Sequence, residues 1–242
     1  MTDVVTLHLW GVAPSRVPLA LLRMATDRLL LARQPAGFTR LLGTGHGHRF
    51  TPRDADPTHW AVLATWQDRA AADAFDRSPT VTGWRRIARE ELRLVLQPVS
   101  SRGRWAGREP FLVDDRARER SERTERTDRP VASITRARIR PRLLRRFNAT
   151  VPAVASDLHD ADGLLLGIGI GELPIGLQGT LSVWQDAGSL SRFAYRGQPH
   201  AEAIRRTAEL GWYSEELFAR FRVVSAEGTH RGRPLMPAEV LR

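Results

Sequence analysis

Leu42-Gly-Thr-Gly-His-Gly47 is written a second time as Leu166-Gly-Ile-Gly-Ile-Gly171, at an offset of 124 residues. Around this pair other matches fall in the same chain order. Trp66-Gln-Asp68 returns as Trp184-Gln-Asp186 and Phe75 as Phe193, both at an offset of 118. Arg85-Arg86 and Ala88 return as Arg205-Arg206 and Ala208 at 120, and Gly103, Gly107 and Arg108 as Gly228, Gly232 and Arg233 at 125. A period this long indicates a duplicated domain; a solenoid repeats at a few tens of residues.

The first copy shows what is repeated. Thr6 to Val12 alternates as a strand, Pro18 to Arg33 is spaced as an amphipathic helix with Leu22, Ala25, Leu29 and Ala32 along one stripe, and Phe38 to Gly45 is a second strand. His59 to Trp66 is a third strand, Gln67 to Arg77 and Val81 to Glu91 are helical, and Leu92 to Gln97 alternates again. The order is βαββαβ, the ferredoxin-like unit. The expected fold is therefore α+β, with tandem ferredoxin-like halves at 1–111 and 131–242 closing on each other as an intrachain dimeric α/β barrel with helices outside. Between them, residues 112–130 form a linker. Its stretch Asp114 to Arg129 carries six arginines and six acidic residues and almost nothing apolar, too little to offset ordering entropy.

Composition narrows the chemistry. The 242-residue chain has no cysteine, which excludes disulfides, iron–sulfur clusters and thiolate-ligated haem. All 37 of its basic residues are arginine, so Schiff-base chemistry and a Walker-type phosphate loop are excluded as well. The net charge of +10 is spread along the chain without aromatic interleaving, and nucleic acid is not an expected partner. No apolar run reaches membrane-span length and the N-terminus lacks signal-peptide character, so a cytoplasmic protein is expected.

The candidate site centres on Gln198 to Gly211, which reads as a short helix with Pro199 in its first turn and His200 at its start. From His200, helical spacing reaches Ala203, Ile204, Thr207, Ala208 and Gly211, a face with one bulky member. Two readings stay open. Such a face leaves room for a flat ligand such as haem, with His200 on its iron, or it packs closely on a sheet. At the offset of 120, Thr80 and Trp84 stand where His200 and Ile204 do, so any site on this helix belongs to one half only. Gly167, Gly169 and Gly171 lack the strand-turn-helix context of a phosphate loop; bulges or close approach to a cofactor remain. His46, His48 and His59 are close in sequence without a complete metal-ligand spacing. Arg102 follows the fourth strand, where its fork could pair with a carboxylate such as a haem propionate. No Ser-His-Asp order, carboxylate pair or zinc signature stands out.

Several runs together resemble one family. Leu42-Gly-Thr-Gly45, Ala64-Thr-Trp66, Pro98-Val-Ser100, Arg102-Gly-Arg-Trp-x-Gly107, Gly167-Ile-Gly-Ile-Gly-Glu-Leu-Pro174, Pro199-His-Ala201 and Trp212 through Gly228 are similar to the spheroidene monooxygenases. These are bacterial enzymes that install a keto group near a carotenoid end, and they belong with the dimeric α/β barrels. The resemblance implies haem b, with His200 as metal ligand and Ala203, Ile204, Thr207 and Gly169 against the cofactor. It also implies a carotenoid-like apolar substrate, dioxygen and an external electron donor. Arg102 and Trp184 are then the candidate catalytic residues, with Trp212 and Phe218 as pocket walls and His159 or His230 as substitute ligands. Transient membrane contact and homo-oligomers fit the same picture. A non-catalytic haem- or lipid-binding barrel and a cofactor-free monooxygenase are the alternatives.

Overall fold

Strand alternation decides what lies inside. β1 (Val4–Val12) sends Val5, Leu7 and Leu9 to one apolar cluster and Trp10 to another, as a period of two requires. The computed structural model describes residues 4–47, 54–113, 129–140, 158–172, 179–196 and 213–236. The remaining strands are β2 (Phe38–Gly45), β3 (Ala55–Trp66), β4 (Ala88–Gly103), β5 (Val131–Ile139), β6 (Leu164–Gly171), β7 (Gly179–Trp184), β8 (Tyr213–His230) and the short β9 (Arg233–Pro234). Their order is β4-β1-β3-β2-β6-β7-β5-β8-β9, and a β4–β8 ladder closes the first eight into a barrel. Every pairing is antiparallel. Closure leaves none of the eight with an open edge.

The interior is a packed core. Leu63, Leu94, Leu181, Phe221 and their neighbours fill it, and Trp105 and Phe111 enter from the segment after β4. Phe111 stands edge-on to Phe221 at 4.9 Å, and Phe38 edge-on to Trp105 at 5.5 Å.

Helices cover the outside: α1 (Val17–Leu31), α2 (Arg69–Phe75), α3 (Pro79–Arg85) and α4 (Ala187–Arg196). The repeated Trp-Gln-Asp explains two of them. Asp68 accepts the Ala71 N–H at 2.8 Å and Asp186 the Ser189 N–H at 2.7 Å, so each aspartate caps the helix after its strand. Each tryptophan then meets the helix's phenylalanine, Trp66 to Phe75 at 4.9 Å and Trp184 to Phe193 at 5.1 Å. Gly103 and Gly107 (φ 94° and 74°) and Gly228 and Gly232 (φ 91° and 72°) likewise form two equivalent left-handed turns.

Three expectations change. The helix expected to reach Glu91 stops at Arg85, and β4 begins at Ala88, because Ala88 already pairs with Val12 of β1. α1 is turned the other way: Leu22 and Leu29 of the expected stripe are 59% and 69% exposed, while Ala20, Asp27 and Leu31 are buried. The cause is an Arg23–Asp27 pair at 3.0 Å, held under α3 where Gly83 leaves room for the guanidinium. Finally, the glycine runs do not occupy matching rungs. Counting along the ladders from Trp66 and Trp184, Leu41 is the counterpart of Gly169. The first-half pattern of helices is seen in full; the second-half segment 141–157 lies outside the described residues, as does the linker 114–128.

Candidate functional site

The outer faces of the two sets of four strands differ in side-chain size. In the first set Thr6, His8 and Trp10 of β1 and Trp60, Val62 and Ala64 of β3 point outward beneath the helices. Trp10 stacks on Trp84 of α3 at 5.3 Å, with Trp60 tilted against the same ring at 6.4 Å. That layer is full. The register places Ser133, Thr135 and Ala137 of β5 where Thr6, His8 and Trp10 stand, since Val4 pairs with Trp66 as Val131 pairs with Trp184. Thr180 and Ser182 take the places of Val62 and Ala64, and Gly167 and Gly169 those of Thr39 and Leu41. Two large aromatic rings and a leucine are thus replaced by Thr135, Ala137 and Gly169. This second face carries smaller and lightly polar side chains.

Arg102 and Gly169 mark the two ends of one row across this face. Arg102 pairs with Phe218, Phe218 with Thr135, Thr135 with Thr180 and Thr180 with Gly169. Four inter-strand spacings make that row about 19 Å long. The Arg102 side chain is 81% exposed, lies 5.5 Å over the Phe218 ring and approaches Glu216 at 4.0 Å. Its guanidinium is available to an anionic group at the edge of the face. Trp184 lies four residues along β7 from the Thr180 of this row, paired with Val131 and Leu164. It is fully buried under α4, and its indole N–H is donated to Ser182 at 2.9 Å. A Cβ on Gly167 would stand 3.5 Å from the His159 ring, which puts that histidine on the same face. His200, Ala203, Ile204, Thr207 and Trp212 lie outside the described residues. The sequence missed Ser133, Thr135, Thr180 and Ser182; a register-based comparison of the two halves would have found them.

The end of the barrel nearest Arg102 is held by a buried charge knot. Arg136, 4% exposed, donates to Glu215 at 2.6 Å and to Glu172 at 3.1 Å. Arg40 reaches Glu172 at 2.6 Å and the Trp105 indole donates to it at 2.8 Å. Burial pushes Glu172 up, but the Trp105 hydrogen bond and the Arg136 and Arg40 charges outweigh it and hold the carboxyl below its ordinary range.

Comparison with known proteins agrees with this architecture. The chain is 37% identical over 222 residues to the spheroidene monooxygenase of Rhodobacter capsulatus, covering 89% of each chain. It is 35% identical over 233 residues to that of Rubrivivax gelatinosus, covering 96% of this chain and 86% of the relative. The chain belongs to the spheroidene monooxygenase family. No protein-family model matches it. Among solved structures, an aldoxime dehydratase in complex with butyraldoxime superposes with a TM-score of 0.62 at 12% identity, over 97% of this chain and 85% of that one. A second aldoxime dehydratase gives 0.60 at the same identity. These likenesses speak to the fold alone.

In this spheroidene monooxygenase relative, one other cluster invites a metal reading. His59, Glu90 and His230 at the opposite barrel end bring ligating atoms within 4.8 Å of one another. The arrangement is better explained by charge balance. His59 bridges Asp56 at 2.8 Å and Glu90 at 3.0 Å, and Glu90 accepts the backbone N–H groups of Arg231 and Gly232 at 2.9 and 2.8 Å. Burial lowers the His59 pKa, but the hydrogen bonds to Asp56 and Glu90 win and raise it, favouring an imidazolium. Glu215 does the same at the other end, capping Ala106 and Gly107 with Arg136 as its cation. Glu90 and Glu215 are one turn-capping device used twice, and Arg231 beside Asp56 at 3.2 Å adds a cation to the first.

Proposed function

We propose that the chain is a carotenoid monooxygenase that holds haem b against the outer face of β5–β8. The observation that supports this most directly is the replacement of His8, Trp10 and Leu41 by Thr135, Ala137 and Gly169 in matching positions of the ladder. The reading takes the barrel as two tandem ferredoxin-like halves, one filled by its own tryptophans and one faced with smaller side chains. Family membership supplies the substrate class.

On this reading His200 would hold the iron, and Ala203, Ile204, Thr207 and Gly169 would line the cofactor. Haem, when bound, supplies iron-centred activation of dioxygen. The protein's own residues do the rest. Arg102 pairs with a propionate at the rim. Trp184 anchors α4 to the sheet, and Phe218 and Trp212 present apolar walls to a long substrate and exclude water. Each turnover places one oxygen atom in the substrate and releases the other as water, using two electrons and two protons from an external donor. A keto group at a methylene takes two such turnovers, and the geminal diol then loses water.

The absorption spectrum of the purified protein tests the cofactor. A Soret band is expected, present as purified or after haem addition, and His200→Ala should remove or greatly weaken it. Loss of the band in His159→Ala with retention in His200→Ala would transfer the ligand to His159. A colourless protein that still oxidises carotenoid would make it a cofactor-free monooxygenase. Haem binding without a dioxygen-dependent product would make it a carrier.

A further inference from the structure

The buried side of α1 holds Ala20 and Leu31, with Val17 and Met24 packed against the same apolar cluster, and it also takes in the Arg23–Asp27 pair, whose Arg23 donates to the Thr80 carbonyl at 3.3 Å. Its outer side presents Leu19, Leu21, Leu22 and Leu29, exposed by 37%, 48%, 59% and 69%. Thr26, on that side, turns its hydroxyl back onto the Leu22 carbonyl at 3.2 Å, leaving its methyl outward. Arg16, Arg28 and Arg33 are exposed around this apolar strip. Asp27 is the sole acidic residue between Val4 and Arg53, and it is buried.

A helix in water gains nothing by hiding its ion pair and showing four leucines. The arrangement becomes favourable when the outer side meets an apolar phase edged with negative charge, the environment of an interfacial helix. We propose that the outward face of α1 docks onto an anionic lipid bilayer, leucines among the acyl chains and arginines at the phosphates. A second copy of the chain suits the face less well. A two-fold contact would bring the same arginines together, with no exposed acid on the helix to meet them. No helix among the described residues is long and apolar enough to cross a membrane, so this is attachment at the surface. The docking stands on α1 alone; its use, access to a membrane-dissolved substrate, rests on the activity proposed above.

Vesicle co-sedimentation of the full-length protein tests it. Wild type should sediment with vesicles of mixed phosphatidylglycerol and phosphatidylcholine, and weakly with phosphatidylcholine alone. High salt should weaken the first. Leu22→Ser/Leu29→Ser, at exposed positions, should reduce binding by about tenfold or more with unchanged circular dichroism and melting temperature. Arg16→Gln/Arg33→Gln should lose the preference for anionic lipid. Wild type remaining in the supernatant, or equal sedimentation of the serine variant, overturns the proposal. So does a wild-type dimer that the serine variant converts to monomer, since a second copy then covers the face. Turnover of detergent-dispersed carotenoid should be retained by the serine variant; its absence from wild type with docking intact would sink the activity and leave the docking standing.

Discussion

Arg136 is buried and doubly paired, so its removal should cost the barrel more than removal of an exposed arginine among the described residues. It sits at an interior position with Glu172 and Glu215 as partners, and its guanidinium lies 5.1 Å over the Trp105 ring. Removing one member of a buried pair costs about 3–5 kcal/mol, because the other is left uncompensated. Glu172 is about a third exposed, which favours the low end. Arg136→Ala should therefore lose about 3 kcal/mol in urea unfolding, and a loss under about 1 kcal/mol would mean that water compensates both glutamates. Carboxylates of this kind also set the acid limit. Burial raises Glu91, but the His8 and Arg85 hydrogen bonds outweigh it and hold the group down to about 2, against an ordinary 4.5. A depressed folded pKa contributes stability that is complete above the ordinary value and is lost as pH falls toward the folded one. The Glu91 contribution to the urea midpoint should thus be constant above about pH 5 and fall toward pH 2. Glu91→Gln should lower the neutral midpoint and flatten that fall; an unchanged slope would assign the acid transition to other groups.

Among the elements, the outer face of β5–β8 makes the sharpest prediction. Thr135→His with Ala137→Trp restores the residues of the first half on a strand of the same register. The barrel should stay closed, since its core is on the other face, while on the proposed haem reading retention of added haem falls by about tenfold or more through overpacking. Retention at the wild-type level would move the cofactor away from this face. Much of this was legible in the sequence, and unevenly. Leu217, Ala219, Phe221 and Val223 alternate along β8 and lie in the core, as a period of two requires. Trp66-Gln-Asp68 and the paired turn glycines were legible because backbone geometry depends on them. Thr135 and Thr180 were not, because threonine in a strand looks ordinary until its counterpart is known to be histidine or valine. α1 was misjudged for a related reason. Spacing identifies an apolar stripe but does not say that an Arg–Asp pair will occupy the inner side. The glycine runs matched best four residues away from their ladder equivalents, since local similarity takes no account of strand register.

For the molecule as a whole, the question is whether two halves make two domains or one. Residues before the linker contribute twelve buried side chains to the barrel core described here, and residues after it twelve more. Neither set fills the barrel interior without the other, although the first half also keeps an outer layer of its own around Trp10, Trp60 and Trp84. The β2–β6 and β4–β8 ladders join them on both sides, the second running from Leu92–Gly228 to Gly103–Leu217. Covalent continuity through the linker is thus expected to matter far less than the shared interior. A protease site placed between Ser121 and Glu122 tests this. After cleavage the fragments should co-elute at the volume of the intact chain and unfold in one transition, seen alike by tryptophan fluorescence and far-ultraviolet circular dichroism. Mixing in denaturant and refolding should recover the pair, with a midpoint that rises with concentration because association is now bimolecular. A fragment of residues 1–113 alone should aggregate or pair with itself, as its four-stranded sheet exposes Leu7, Leu63, Leu94 and their neighbours. If the fragments separate without denaturant, or unfold in two independent steps, each half has its own stability. The single-core argument then fails, and with it the expectation that core substitutions such as Phe221→Ala destabilise both halves together.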